Sequence, residues 1–248
     1  MINNKYRFSK TEIESSVGLW KSITLHDLDD DGKNDLILGN HGTNTYLGQY
    51  DKLGMIWGDY DNNNVPEPLL YINVNGVNQP LASKDLLVSQ MTVFKSLHKD
   101  YNAFANDDFD TMFGRVIGKT IVKKEIDELQ TSLFRNRKGV SYEKIILPIE
   151  AQAAPTFAIQ AIDVNSDNVL DLVLGGNLYE VTPNIGRADA SYGTILIGSK
   201  PGAFSFDKDY NASLLIDGQV RKMSEINVKG VNRILVARNN DTLSLIHI

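Results

Sequence analysis

Three acidic nonapeptides stand in one register, and that register constrains the fold more than any other feature of the chain. They are Asp27-Leu28-Asp29-Asp30-Asp31-Gly32-Lys33-Asn34-Asp35, Asp59-Tyr60-Asp61-Asn62-Asn63-Asn64-Val65-Pro66-Glu67 and Asp163-Val164-Asn165-Ser166-Asp167-Asn168-Val169-Leu170-Asp171. Positions 1, 3, 5 and 9 carry side-chain oxygens in each. Position 6 is Gly32, Asn64 or Asn168, the residue types that turn a chain sharply. A short loop built this way wraps a hard cation that demands many oxygen ligands, and the carbonyl of position 7 can add another. The expected metal residues are therefore Asp27, Asp29, Asp31, Lys33 and Asp35 in loop 1. Loop 2 supplies Asp59, Asp61, Asn63, Val65 and Glu67, and loop 3 supplies Asp163, Asn165, Asp167, Val169 and Asp171. The expected cofactor is Ca2+, in up to three sites.

The last ligand separates this loop from an EF-hand, which needs a bidentate Glu at position 12 followed by a helix. Position 12 is Leu38, Leu70 and Leu174 here. The acid falls at position 9 instead, and apolar runs follow: Leu36-Ile37-Leu38, Leu69-Leu70-Tyr71 and Leu172-Val173-Leu174. Apolar stretches also precede the loops at Ile23-Thr24-Leu25, Met55-Ile56-Trp57 and Phe157-Ala158-Ile159. Each unit reads strand, metal loop, buried strand. Ordinary Asp/Asn hairpin turns are the alternative; three in register, always between strands, speak against it.

This strand–DxDxDGxxD–strand unit resembles the FG-GAP/VCBS repeat of integrin-alpha-type β-propellers. Gly39-Asn40-His41-Gly42-Thr43-Asn44, Leu147-Pro148-Ile149-Glu150-Ala151-Gln152 and Gly186-Arg187-Ala188-Asp189-Ala190-Ser191 are similar to a narrower bacterial group related to ASPIC/UnbV proteins. The resemblance implies a calcium-stabilised propeller on a bacterial surface, secreted or periplasmic, acting in adhesion. Loop 2 departs from the pattern at Asn63 and Glu67, and loop 3 at Asn165. At the ligand positions carboxylates number four in loop 1 (Asp27, Asp29, Asp31, Asp35), three in loop 2 (Asp59, Asp61, Glu67) and three in loop 3 (Asp163, Asp167, Asp171). Charge counting makes loop 1 the tightest site.

The rest of the composition agrees. Acids number 31 against 25 bases, a formal charge of −6, and the loops account for much of the acidity. No basic stripe marks a nucleic-acid surface. Arg135-Asn136-Arg137-Lys138 reads as a solvated turn, with a polyanion contact as the alternative. The chain has no cysteine, so neither disulfides nor thiolate metal sites arise. No apolar run reaches membrane-spanning length, so no direct membrane insertion is expected. Met1 to Lys5 shows no signal-peptide core, and the chain reads as internal to a longer protein with further blades or domains. Leu243 to Ile248 reads as a non-native tail, with a final edge strand as the alternative.

Loops 1 and 2 lie close in sequence, and loop 3 is much farther on, so an insert is expected at about 83–129. Leu87, Met91, Phe94, Leu97, Tyr101 and Phe104 form a helical stripe behind the plausible N-cap Ser83. A second helix is expected near Asp107 to Phe113 and a third around Lys123 to Leu129. Strand signals return at Gln130–Arg135, Ser141–Leu147, Tyr192–Ile197, Ala203–Phe206, Gln219–Val228 and Val231–Arg238. The fold class is mainly β: a partial propeller of about four blades over residues 1–242, with an inserted helical segment.

Catalytic patterns are absent from the sequence. The four histidines show no zinc spacing, and no nucleophile elbow or P-loop occurs. Paired carboxylates suited to a glycosidase are already committed to the loops. Asn177, Tyr179, Arg187, Asp189 and Tyr192 form an uncommitted polar set that either lines a ligand groove or makes a structural Arg187–Asp189 turn. Two function classes follow: a non-catalytic calcium-binding module recognising glycan or protein, or a carbohydrate-active hydrolase or lyase on a calcium-stabilised propeller.

Overall fold

A computed structural model describes residues 2–3, 8–61, 63–114, 122–137, 141–200 and 202–247. The protein is mainly β. After a short pair, β1 (Ile2–Asn3) and β2 (Phe8–Ser9), each acidic nonapeptide closes an antiparallel hairpin. β3 (Ser22–His26) and β4 (Asp35–Gly39) flank loop 1. β5 (Leu53–Gly58) and β6 (Glu67–Val74) flank loop 2. β11 (Thr156–Ile162) and β12 (Asp171–Gly176) flank loop 3. The chain divides into two compact units, Met1–Gln49 with Glu128–Ile248, and Tyr50–Asp127.

The first unit is a series of antiparallel sheets. β3 and β4 are joined by β9 (Ser132–Asn136) and β10 (Tyr142–Ile146), in the order β10-β9-β4-β3. β11 and β12 continue into β13 (Thr194–Ser199) and β14 (Ala203–Phe206), in sequence order. The third sheet is β15 (Val220–Val228), β16 (Val231–Arg238) and β17 (Ser244–His247). None of these sheets closes on itself.

Strand period 2 explains how the sheets stack. Ile37 of β4 and Leu133 of β9 pack on Ile159, Ala161, Leu172, Leu174 and Leu196 of the second sheet. The alternate residues Ala158, Ile162, Val173 and Ile195 pack on Val220, Met223, Ile234 and Val236 of the third. The second sheet is thus apolar on both faces, which is why Leu172-Val173-Leu174 reads as a continuous run rather than an alternation. The first strands β3, β11 and β15 lie side by side.

The second unit holds loop 2. Its sheet runs β7-β6-β5-β8, with β7 (Val77–Pro80) and β8 (Val122–Ile126). Four short helices cover one face: α1 (Lys84–Gln90), α2 (Phe94–Leu97), α3 (Tyr101–Ala105) and α4 (Phe109–Gly114). Ile56, Tyr60, Leu69 and Tyr71 from the sheet meet Leu87, Met91, Phe94, Phe109, Met112 and Phe113 from the helices. Helices this short do not persist alone in water, so this aromatic core holds them.

The unit begins at Tyr50, well before the expected insert at 83–129, and it contains loop 2. The strand next to β4 is therefore β9, reached only after the whole second unit. The continuous stripe from Leu87 to Phe104 is broken into α1, α2 and α3. Met91 leaves helical geometry as a C-cap, and Asp100 restarts a helix by accepting a bond from the Ala103 amide at 2.8 Å. Ser83 does cap α1. The helix expected around Lys123 to Leu129 is instead β8, an edge strand paired with β5. Cross-strand pairing overrides the charged, helix-tolerant composition there. The expected strands at 130–135, 141–147, 192–197 and 219–228 form within two residues of their limits. Ser244–His247 pairs as the edge strand of the third sheet. No described helix is long and apolar enough to cross a membrane.

Candidate metal centres

The three loops adopt one backbone. The position-1 carboxylate accepts from the amides of positions 5 and 6: Asp27 from Asp31 and Gly32, Asp59 from Asn63 and Asn64, Asp163 from Asp167 and Asn168. The position-5 oxygen accepts from the position-7 amide, at 2.9 Å for Asp31–Lys33, 2.7 Å for Asn63–Val65 and 2.7 Å for Asp167–Val169. The position-9 carboxylate accepts from the position-2 amide, as Asp35–Leu28, Glu67–Tyr60 and Asp171–Val164. Position 6 is left-handed in all three, with φ of 83° at Gly32, 66° at Asn64 and 64° at Asn168. Glycine and asparagine are the residues that tolerate that conformation, which is why they occur there.

Two loops gather three carboxylates tightly enough to hold a metal ion. Asp27, Asp29 and Asp31 each place an oxygen within 4.8 Å of the others, and Asp59, Asp61 and Glu67 do the same. Loop 3 has Asn165 at position 3, and no such carboxylate triad forms there among the described residues. Asn165 instead donates to Asp167 at 3.0 Å.

Position 9 shows what the sequence does not reveal. Asp35 is buried and spans two strands, accepting from Leu28 and, at 2.8 Å, from the Asn136 amide of β9. Asp171 makes the matching bond to the Gly198 amide of β13 at 2.7 Å. Burial pushes the Asp171 carboxyl up, and its two backbone amides oppose that shift. Both aspartates are turned into the sheet, outside the triads. Glu67 is one methylene longer and joins its triad.

Arg135 and Arg137 stand beside loop 1, where the sequence suggested a solvated turn, with a polyanion contact as the alternative. Arg135 is buried, donates to the Gly202 carbonyl at 2.7 Å, and lies 3.7 Å from Asp29. Arg137 is half-exposed, lies 3.8 Å from Asp29, and pairs with Glu143. Neither arginine is close enough to Asp29 for a hydrogen bond. Asp29 is 10% exposed, and its Oδ1 is buried without a partner. Lys33 bonds Asp31 at 2.9 Å, which holds the Asp31 carboxyl below its ordinary range. Lys200 pairs with Asp30 at 3.0 Å. Loop 2 has no such company: no basic side chain pairs with Asp59, Asp61 or Glu67 among the described residues. Lys138, the last residue of the basic stretch, lies outside the described residues.

The polar set after loop 3 is only partly assembled. Asn177 is buried with φ of 78° and clips its loop to Ser191 and Gly218. The Tyr179 amide donates to Gln219, and the Arg187 guanidinium lies 5.2 Å from the Tyr179 ring centroid. Asp189 is exposed and makes no ion pair with Arg187 among the described residues. Tyr192 is exposed. Comparison with protein-family models and with curated protein sequences finds no match to this chain.

Proposed function

We propose that the chain is a calcium-binding, non-catalytic module of FG-GAP/VCBS β-propeller type, belonging to a bacterial surface or secreted protein that recognises a glycan or protein. The observation that carries the metal reading is the buried, unpartnered Oδ1 of Asp29 within a three-carboxylate loop. A buried carboxylate oxygen with no donor is costly unless a cation satisfies it. Asp27, Asp29 and Asp31 would hold the ion in loop 1, and Asp59, Asp61, Asn63 and Glu67 in loop 2. Asp163, Asn165 and Asp167 would form a weaker third site. The ion supplies charge neutralisation, removing the repulsion between clustered carboxylates. An all-oxygen ligand set with flexible carboxylates suits Ca2+ better than softer metals.

The blade reading is supported by stacked antiparallel sheets whose first strands, β3, β11 and β15, are neighbours, as in blades around an axis. In that reading loops 1 and 3 belong to successive blades and loop 2 to the inserted unit. The module reading is supported by where the carboxylates are spent: those of the loops are bonded to backbone amides or gathered in triads, apart from Asp30, which pairs with Lys200. Calcium titration by calorimetry, with thermal melts in calcium and in chelator, tests this. Uptake of calcium with a rise in melting temperature is expected. A melting temperature indifferent to both would sink the reading.

A further inference from the structure

Lys21 precedes β3, Phe157 lies on β11 and Arg221 on β15, so the three come from neighbouring first strands. Lys21 and Phe157 stand at the strand ends away from the metal loops. The Lys21 Nζ lies 5.7 Å from the Phe157 ring centroid, and the Arg221 guanidinium carbon 4.2 Å from it. One aromatic ring therefore holds two cations.

The two cations differ in how they are satisfied. Arg221 donates to the carbonyls of Asn177 and Val220 and to Gln219, and lies 3.8 Å from Glu180. Lys21 has neither a hydrogen-bond acceptor nor a carboxylate for its Nζ among the described residues. Burial, and then the charge of Arg221, push the Lys21 amine below its ordinary range. His41, which follows β4, is buried with its Nδ1 unpartnered. Burial, and then Lys21, bring His41 down to about 4, so it is uncharged at neutral pH. Glu180 stands by Arg221 alone, so the charge of Lys21 is left unmatched among the described residues. An unmatched, half-buried ammonium beside a guanidinium weakens a fold unless a ligand compensates it.

We propose that Lys21 and Arg221, held on the Phe157 ring, bind a single carboxylate group of a ligand. Lys21 supplies the ammonium that meets the carboxylate, and Arg221 supplies the field and the remaining guanidinium hydrogens. The unmatched charge of one suits a monoanion better than a phosphate dianion. The site is independent of the metal loops and needs no calcium.

The test uses the full chain at low ionic strength, titrated by calorimetry and by amide NMR with sodium acetate, sodium glucuronate, inorganic phosphate and neutral glucose. Saturable binding of acetate and glucuronate is expected, with none for glucose. Glucuronate binding tighter than acetate would identify a sugar acid as the source of the carboxylate; equal binding would leave the carboxylate alone as the determinant. Lys21→Gln should weaken binding at least tenfold, and Lys21→Arg should retain it. Lys21→Met should raise the anion-free melting temperature by roughly 2–4 °C, because it removes an unmatched, half-buried charge. Acetate should then stabilise the unsubstituted protein but not Lys21→Met. The proposal is overturned if Lys21→Gln, folded by circular dichroism, binds glucuronate as well as the unsubstituted protein does. It is also overturned if chloride at matched ionic strength reproduces the acetate response, or if phosphate binds tenfold more tightly than acetate.

Discussion

Loops 1 and 2 have the same backbone and opposite surroundings. Their position-1 aspartates accept the same two amides, and their position-6 residues take the same left-handed turn. Around loop 1 the protein places Arg135, Arg137 and Lys33, and it ties Asp35 into β9. Around loop 2 it places no basic partner among the described residues, and Glu67 stays with the oxygens of its carboxylate triad. Nine residues thus dictate the shape of a loop, whereas Arg135 and Arg137, far away in sequence, add to its electrostatic field. Formal charge makes loop 1 the stronger site. We expect the opposite order, because Arg135, Arg137 and Lys33 stand at loop 1 and no basic side chain pairs with the loop 2 triad among the described residues.

The largest expected difference is metal-free stability. Asp35→Ala would remove the carboxylate that accepts from the amides of Leu28 and Asn136, and each lost acceptor costs about 1–3 kcal/mol. A loss of roughly 2–6 kcal/mol is expected for Asp35→Ala, from two acceptors lost together. Glu67→Ala should cost about 1 kcal/mol or less, since Glu67 is half-exposed and makes no bond to a third strand among the described residues. Urea unfolding of both variants in chelator makes the comparison. Equal losses would show that the β9 tie does not distinguish the loops.

Calcium comes next. Saturation at about 100 times the dissociation constant stabilises by roughly 2.7 kcal/mol per site. More of that gain should vanish in Asp61→Asn than in Asp31→Asn, the reverse of charge counting. Thermal melts across a calcium series decide it, and a larger loss in Asp31→Asn would restore loop 1 as the dominant site.

A smaller effect isolates the arginines. Arg137→Gln should tighten calcium at loop 1 about tenfold, or roughly 1.4 kcal/mol, when loop 2 is silenced by Asp61→Asn. Arg137→Lys should leave it unchanged. Unaltered affinity in Arg137→Gln would mean that solvent already screens this guanidinium, which is half-exposed.

What the sequence reveals follows the same division. Local chemistry was legible: the loops, their flanking strands, the Ser83 cap and the strand at Val231–Arg238 follow from spacing within a few residues. Non-local pairing was not. Nothing near Leu38 says that its next neighbour in the sheet is Ser132, or that the whole second unit intervenes. The β8 edge reads as helix because Lys and Glu tolerate either state, and only its pairing with β5 decides. Arg135 and Arg137 were visible as a basic cluster, but their role at loop 1 depends on β9 lying beside β4. Lys21 and Arg221 carried no sequence signal at all, since one aromatic ring brings them together from distant strands.

The smallest expected effect lies inside loop 1 and concerns pH. At position 5 loop 1 has Asp31 and loop 2 has Asn63, so only loop 1 can titrate there. The Lys33 hydrogen bond to Asp31 lowers the Asp31 carboxyl below the ordinary aspartate value of 3.8. A depressed carboxyl contributes stability above the unfolded value, and that contribution fades as pH falls through the lowered folded value. The pair is exposed, so solvent keeps the contribution small. Carboxyl NMR of the metal-free protein should place the Asp31 midpoint below 3.8, and Lys33→Met should return it to the ordinary range. The Lys33 amide still donates to Asp31 in that variant, so the loop backbone stays intact while one positive charge leaves. Calcium at loop 1 should therefore tighten in Lys33→Met, by less than in Arg137→Gln, because the ammonium stands on a flexible stem facing water. A midpoint unmoved by Lys33→Met would show that the loop amides, common to all three loops, set the Asp31 carboxyl, and that Lys33 adds nothing to the contrast with loop 2.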